Sequence, residues 1–289
     1  MRLEGRRESD NFEDRRKMSG GAKAGMGIGG IILVGIITLL MGGNMGDVIN
    51  NVGQQMAQVQ EATPEQVERE FTEEEQEQAK FCRQVLASTE DVWTAVFQKM
   101  GRDYQPPTLV LFTNSVQSAC GGATAAVGPF YCSGDQKLYI DLSFFTQMER
   151  QLGAPGDFAR AYVIAHEVGH HVENLLGTLS KAHAQMNQSD KTTANKISVR
   201  LELLADYYAG VWAHYEDEAF GSLEDGDLEE AVKCAHQIGD NYLQKTQQGY
   251  VVPESFTHGT SEQRMRWLSR GYQTGDMRTS TFGIAESEL

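Results

Sequence analysis

Two stretches of this chain each set a pair of metal-ligating side chains four positions apart on an otherwise apolar helical pattern. In FARAYVIAHEVGHHVENLLG, Phe158, Ala161, Ala165, Val168, Val172 and Leu175 recur at steps of three or four, which predicts an amphipathic helix stopped by Gly177. His166 and His170 then stack one turn apart on one face. In SVRLELLADYYAGVWAH, Leu201, Leu204, Ala205, Tyr208 and Trp212 make the apolar face, and Glu202 and Asp206 sit together. Two carboxylates on so apolar a helix are costly to bury unless they pair or coordinate. The two segments are therefore expected to converge.

Two imidazoles so spaced can hold one tetrahedral zinc at about 2.0–2.1 Å. Glu167 lies too close along the chain to be a third ligand, but stands where it can take a proton from water on the metal. Glu202 completes a His2Glu set with an open fourth position. Asp206 is placed to hold the outer nitrogen of a liganding histidine. His171 is rotated by about 100° and cannot share the metal, so its expected role is structural or supporting. Gly169 weakens a helix interior by about 1 kcal/mol, which implies that something packs closely there. The competing readings are a surface helix with incidental histidines and a surface Glu/Asp pair; the joint presence of both motifs favours zinc.

A third element, SFTHGTSEQRMRWL, follows near the C-terminus. His258 and Arg264 bracket a short loop entering a helix, with Thr260 or Ser261 as its cap. Amide hydrolysis builds an oxyanion that needs a positive donor beyond the metal, and both residues are candidates beside ordinary structural roles. His183, His214 and His236 stay unassigned.

Outside these motifs the strongest signal is a run without Lys, Arg, Asp or Glu from Ala24 to Gly46. As a helix it would span about 34 Å, enough for a bilayer's hydrocarbon layer. A cleaved signal peptide fits less well, because the leader is long and partly acidic and GGNMGD follows the apolar run. A buried soluble helix would seldom be so free of polar residues. Gly25, Gly27 and Gly30 match a dinucleotide-binding pattern, but no strand precedes them, so they read as small residues of a spanning helix. Residues 1–23 hold seven Lys/Arg against five Asp/Glu, which places the N-terminus in the cytoplasm and the chain after Asp47 outside it. A net charge of −15 argues against a nucleic-acid partner.

The Gln-, Asn- and Glu-rich segment that follows reads as a solvated tether. Helical spacing begins at Phe81 and closes near Gly101, Pro106 and Pro107. TLVLF (108–112) and KLYIDL (137–142) read as strands, separated by a Gly/Ala/Ser-rich excursion with Cys120 and Cys132. Four cysteines outside the cytoplasm suggest disulfides: Cys120 with Cys132 is the better-supported pair, and Cys82 with Cys234 a possible second.

With these residues in view, the chain resembles the bacterial family of "putative neutral zinc metallopeptidases", membrane-anchored proteins of largely unassigned substrate. The resemblance rests on GRRESDNFEDRR, the apolar run, STEDVW, GPFYC, LYIDLSFF, AYVIAHEVGHHVENLLG, SVRLELLADYYAGVWAH, IGDNYLQ and SFTHGTSEQR. It implies a gluzincin-type site, with His166, His170 and Glu202 as ligands and Glu167 as base. HGTSEQR is similar to a segment of CAAX-prenyl-protease-like gluzincins, which implies that His258 and Arg264 lie near the zinc. Family members usually carry a cysteine after the AD of the second helix and another near the C-terminal TF. Here Tyr207 holds the first position and MRTSTF has no cysteine, which puts that family disulfide in doubt and makes Cys82–Cys234 a candidate relocated bridge.

The resulting expectation is an α+β chain: a cytoplasmic leader (1–23), one transmembrane helix (24–46), an acidic linker (47–75) and a mainly helical zincin-like domain with a small sheet (76–289). Its expected function is zinc-dependent hydrolysis of peptide bonds in proteins at the outer face of a bacterial cytoplasmic membrane. A strand from the TLVLF/KLYIDL region would pair with the substrate backbone. The alternative is a non-catalytic membrane-tethered assembly protein with a structural zinc.

Overall fold

The computed structural model describes residues 1–19, 65–66 and 70–289. The expected membrane span at 24–46 and most of the expected linker lie outside the described residues. Among the described residues no helix is long and apolar enough to cross a membrane. The architecture is mainly helical with small sheets, an α+β arrangement.

In chain order the elements are β1 (Phe12–Asp14), β2 (Met18–Ser19), β3 (Glu65–Gln66), α1 (Glu73–Lys99), β4 (Thr108–Phe112), β5 (Ser115–Ser118), β6 (Gly121–Thr124), β7 (Phe130–Cys132), β8 (Lys137–Asp141), α2 (Ser143–Leu152), α3 (Asp157–Leu176), α4 (Thr178–Met186), α5 (Lys191–Phe220), α6 (Asp227–Gln237), α7 (Asp240–Gln248) and α8 (Ser261–Thr274). Helix α1 starts two turns before the apolar spacing does. Thr72 and Glu75 form a reciprocal capping box there, and three glutamates occupy the positive end of the helix dipole. These turns are largely polar and exposed, so periodicity could not reveal them. Helix α5 likewise runs beyond the expected 198–214, from an Asp190 cap to Gly221.

The main sheet has the order β1-β4-β8-β7, with β1, β4 and β8 parallel and β7 antiparallel on the outer edge. Both TLVLF (β4) and KLYIDL (β8) are therefore flanked on each side. Neither offers a free edge to a substrate, and that expectation is corrected: among the described residues the edges are β1 and β7. Helix α3 packs between the sheet and α5 in one core that includes Trp93, Phe97, Leu109, Phe158, Ile164, Trp212 and Trp267. Phe158 stacks on Trp212, and Tyr208 meets Trp93 edge to face.

The leader, expected as a unit apart from the domain, packs onto it instead. β1 joins the sheet in register with β4: the Leu109 N–H donates to Asn11 O at 2.9 Å and the Arg15 N–H to Leu111 O at 2.7 Å. Arg6 meets buried Glu216 at 2.7 Å, and Arg7 pairs with Asp91 at 2.6 Å and Glu90 at 2.9 Å. The Met1 ammonium lies 3.0 Å from Asp157 and 3.0 Å from Asp227. β2 and β3 pair antiparallel, bringing residues 18–19 beside 65–66.

A disulfide joins Cys120 to Cys132 and so ties the β5–β6 hairpin to the edge strand. The suggested Cys82–Cys234 bond is not formed. Both thiols are free and fully buried, and burial pushes each up to about 12, so they pack as small apolar groups. Where the family resemblance implies a cysteine, the Tyr207 hydroxyl donates to Asp276 O at 2.8 Å and lies 2.8 Å from Thr274 Oγ1, linking α5 to the chain after α8.

Candidate metal centre

One close contact sets the site. A Cβ at Gly169 would fall 2.8 Å from the backbone oxygen of Ala205 and 2.9 Å from its Cα. Only a residue without a side chain lets α3 and α5 approach so far, which accounts for the helix-interior glycine. Ala205 lies between Glu202 and Asp206, and Gly169 between His166 and His170. The same crossing therefore drives the carboxylates of one helix against the imidazoles of the other. Helix α5 is drawn closer still to α8, where Gly210 and Gly271 meet.

The ligating atoms of His166, His170 and Glu202 all lie within 4.8 Å of one another. His166 Nε2 is 3.2 Å from one Glu202 oxygen and His170 Nε2 is 3.6 Å from the other. The outer nitrogens are both engaged: His166 Nδ1 lies 2.8 Å from Asp206 Oδ1, and His170 Nδ1 lies 2.9 Å from Glu173 Oε2. With Nδ1–H donating to a carboxylate, each neutral ring turns the Nε2 lone pair toward Glu202, itself an acceptor. Three acceptors facing each other call for a cation or for protons. The donor set, two imidazole nitrogens and one carboxylate with the outer nitrogens held, is the set zinc takes.

The charges follow the same logic. Burial pulls the His166 imidazole down, but Asp206 and Glu202 outweigh it and carry it to about 10. Burial would raise Glu202; the imidazoles of His170, His258 and His166 hold it far below the usual carboxylate range. Asp206 is likewise opposed by burial and brought down to about 2 by Arg264 and His166. Glu167 lines the cavity beside the ligands, and burial raises its pKa against the pull of both imidazoles. Among the described residues no group hydrogen-bonds to its carboxylate.

Arg264 is buried at 3% exposure and spends its guanidinium on Asp206, at 2.8 and 3.0 Å, with Tyr162 Oη at 3.2 Å and Ile238 O at 3.4 Å. His258 also lines the cavity. Its loop is drawn in by Asp240, whose Oδ2 accepts the N–H groups of Thr257, His258 and Gly259 at 2.8, 2.7 and 3.0 Å. Asp240 Oδ1 lies 3.2 Å from His258 Nδ1. Burial pulls this imidazole down, but Glu202 and Asp240 raise it on balance. Thr260 caps α8, with Gln263 completing a capping box.

The side chains of His166, His170 and Glu202 thus meet one another, and Asp206 meets His166. Sequence reasoning missed Glu173, Tyr162 and Asp240. Glu173 carried a signal, since it sits three residues after His170 and so on the same helical face. Tyr162, four residues before His166, carried the same signal. Asp240 carried none. His171 faces away from the cluster of His166, His170 and Glu202, fully buried, and burial lowers it to about 4, so it is neutral near pH 7.

His166, His170 and Glu202 open into a cavity of about 500 Å³ with mostly apolar walls, among them Val127, Phe130, Phe144, Val163, Leu201 and Ile238. A second acidic cluster is formed by Asp157, Asp227 and Glu230, of which Asp157 and Asp227 each lie 3.0 Å from the Met1 ammonium.

A family model described as "Putative neutral zinc metallopeptidase" matches residues 1–282, leader included. The chain is 47% identical over 293 residues to the uncharacterized protein YpfJ of Escherichia coli K12, covering 98% of this chain and 99% of that one. It is 41% identical over 216 residues to the uncharacterized protein Rv2575 of Mycobacterium tuberculosis H37Rv, covering 71% of each. No solved structure matches the chain.

Proposed function

We propose a function from the premise that the chain belongs to the "Putative neutral zinc metallopeptidase" family: it is a zinc-dependent endopeptidase. The observation that carries this reading is the convergence of His166, His170 and Glu202, with both outer imidazole nitrogens held by buried carboxylates, at the wall of an apolar cavity that also exposes Glu167.

Zinc, when bound, supplies Lewis acidity that brings the pKa of water toward about 7. Glu167 takes the proton of the attacking water and delivers it to the leaving amine. Asp206 and Glu173 hold the imidazoles in the tautomer that leaves Nε2 free for the metal. Arg264 and Tyr162 fix Asp206. His258, engaged at Nδ1 by Asp240, has Nε2 left for the oxyanion and is the better of the two donors first considered. An extended substrate would lie along β7, whose outer edge beside the cavity is unpaired among the described residues.

The Cys120–Cys132 disulfide supports an oxidising, extracytoplasmic setting. The docked leader supports a revised topology in which residues 1–17 share that side, because a bilayer cannot pass between hydrogen-bonded strands. A membrane-impermeant maleimide should therefore label cysteines placed at Asp10 and at Gln188 alike in intact cells; labelling at Gln188 alone would restore a leader on the cytoplasmic side.

Glu167→Gln tests the peptidase reading. It should keep about one zinc per chain and lose cleavage of denatured casein by at least about 100-fold. A variant as active as the parent removes Glu167 as the base. A zinc-loaded parent that cleaves no protein or peptide favours the structural-zinc assembly protein.

A further inference from the structure

We propose that His171 is a positioning residue for substrate, clamping edge strand β7 to the metal-bearing helix α3; this rests on the peptidase reading above. Consecutive residues on a helix point about 100° apart, so His170 turns to the metal while His171 turns to the sheet. The His171 ring is fully buried and reads out completely. Its Nε2 lies 2.6 Å from the carbonyl oxygen of Gln105, which can only accept, so Nε2 carries the proton. Nδ1 is then the acceptor and takes the hydroxyl proton of Tyr131 at 3.0 Å. The Tyr131 oxygen in turn accepts from Asn174 Nδ2, also on α3, at 3.1 Å. The Tyr131 and Tyr104 rings meet the imidazole edge to face, with centroids at 5.4 and 5.8 Å.

Tyr131 is the middle residue of β7, and alternation along a strand sends it away from its neighbours. Phe130 stacks on Tyr139, and Cys132 is bonded to Cys120, both among the residues of a second buried cluster. Tyr131 alone of the three reaches α3. Among the described residues β7 pairs only with β8, so its outer edge is unclaimed, and Phe130, Tyr131 and Ser133 share the cavity wall with His166, Glu167 and His170. A strand that seats a substrate backbone must keep its distance from the metal, and the clamp links the two through one imidazole. Its loss should weaken the seating of extended peptides while sparing metal and base.

Tyr131→Phe removes the hydroxyl and keeps the ring. In the full chain it should retain parental zinc content and raise KM for a fluorogenic heptapeptide about tenfold, with kcat within about twofold. Amides 129–133 should exchange hydrogen faster. His171→Gln, which can still donate to Gln105, should reproduce the pattern more severely, guarding against a folding defect confined to one variant. Unchanged KM with faster exchange overturns the role in substrate seating. Zinc lost in step with kcat also overturns it, since His171 would then act on the metal. If the parent cleaves no peptide, the peptidase reading falls and the seating role with it, while unchanged exchange in Tyr131→Phe would remove the clamp itself.

Discussion

The two candidate ligand imidazoles, His166 and His170, stand on unlike supports. Asp206 reaches His166 from another helix, is wholly buried, is neutralised by Arg264 from a third helix, and accepts a hydrogen bond from the Tyr162 hydroxyl. Glu173 reaches His170 from one turn along the same helix, also wholly buried, and its Oε1 has no hydrogen-bond partner among the described residues. One support is a fixed anion assembled by the tertiary fold. The other is local and under-compensated, and burial lifts it to about 7. His166 therefore depends on the packing of α3, α5 and α8, whereas His170 is oriented as soon as α3 is formed.

Breaking the first support should do the most damage. Asp206→Ala leaves Arg264 buried without its anion, which should cost about 3–5 kcal/mol of stability, read by denaturant unfolding of the metal-free protein. An effect below about 1 kcal/mol would mean that Arg264 escapes to solvent and the network is loose. Glu173→Gln keeps shape and a hydrogen-bond acceptor, so its effect should be smaller: zinc affinity down by about tenfold in competition with a chelating dye, against up to about 100-fold for Asp206→Asn. Equal losses would erase the distinction between the two supports.

The smallest effect separates them by sign. Asp206 is depressed from 3.8 to about 2, so its stabilisation is present above pH 3.8 and lost as pH falls through 2. Glu173 is raised from 4.5 to about 7, so the native state holds the extra proton and stability falls as pH rises from 4.5 through 7. The Tm of metal-free Glu173→Gln should decline less over that upper window than the parent's. Parallel Tm curves for the two proteins would remove Glu173 as the titrating group.

The supports were also unequally legible. Asp206 could be anticipated because a carboxylate on an apolar face demands an explanation, and its spacing from Glu202 matches that of the two histidines. Glu173 looked like one more polar residue near a helix end, and its burial depends on neighbours that periodicity does not display. Spacing alone left His258 and Arg264 equivalent; only the path of α8 past Asp206 commits the arginine to that carboxylate. Strands β4 and β8 were visible as branched and aromatic runs. The edge strand β7 is three residues long, and β1 reads Phe-Glu-Asp, too short and too polar to declare itself. Cys82 and Cys234 suggested a bond because they were left over, and burial on separate helices explains them instead.

The parallel pairing of β1 with β4 also orders events in time. The strand synthesised first finds its neighbour only after about a hundred more residues have emerged, and closing so long a loop is slow compared with winding any helix between them. Until then the β4 edge is open to strangers, a hazard for aggregation during synthesis. The N-terminal residues thus act as a latch on an already gathered core, so their removal should leave a chain that still winds its helices but keeps a sticky flank.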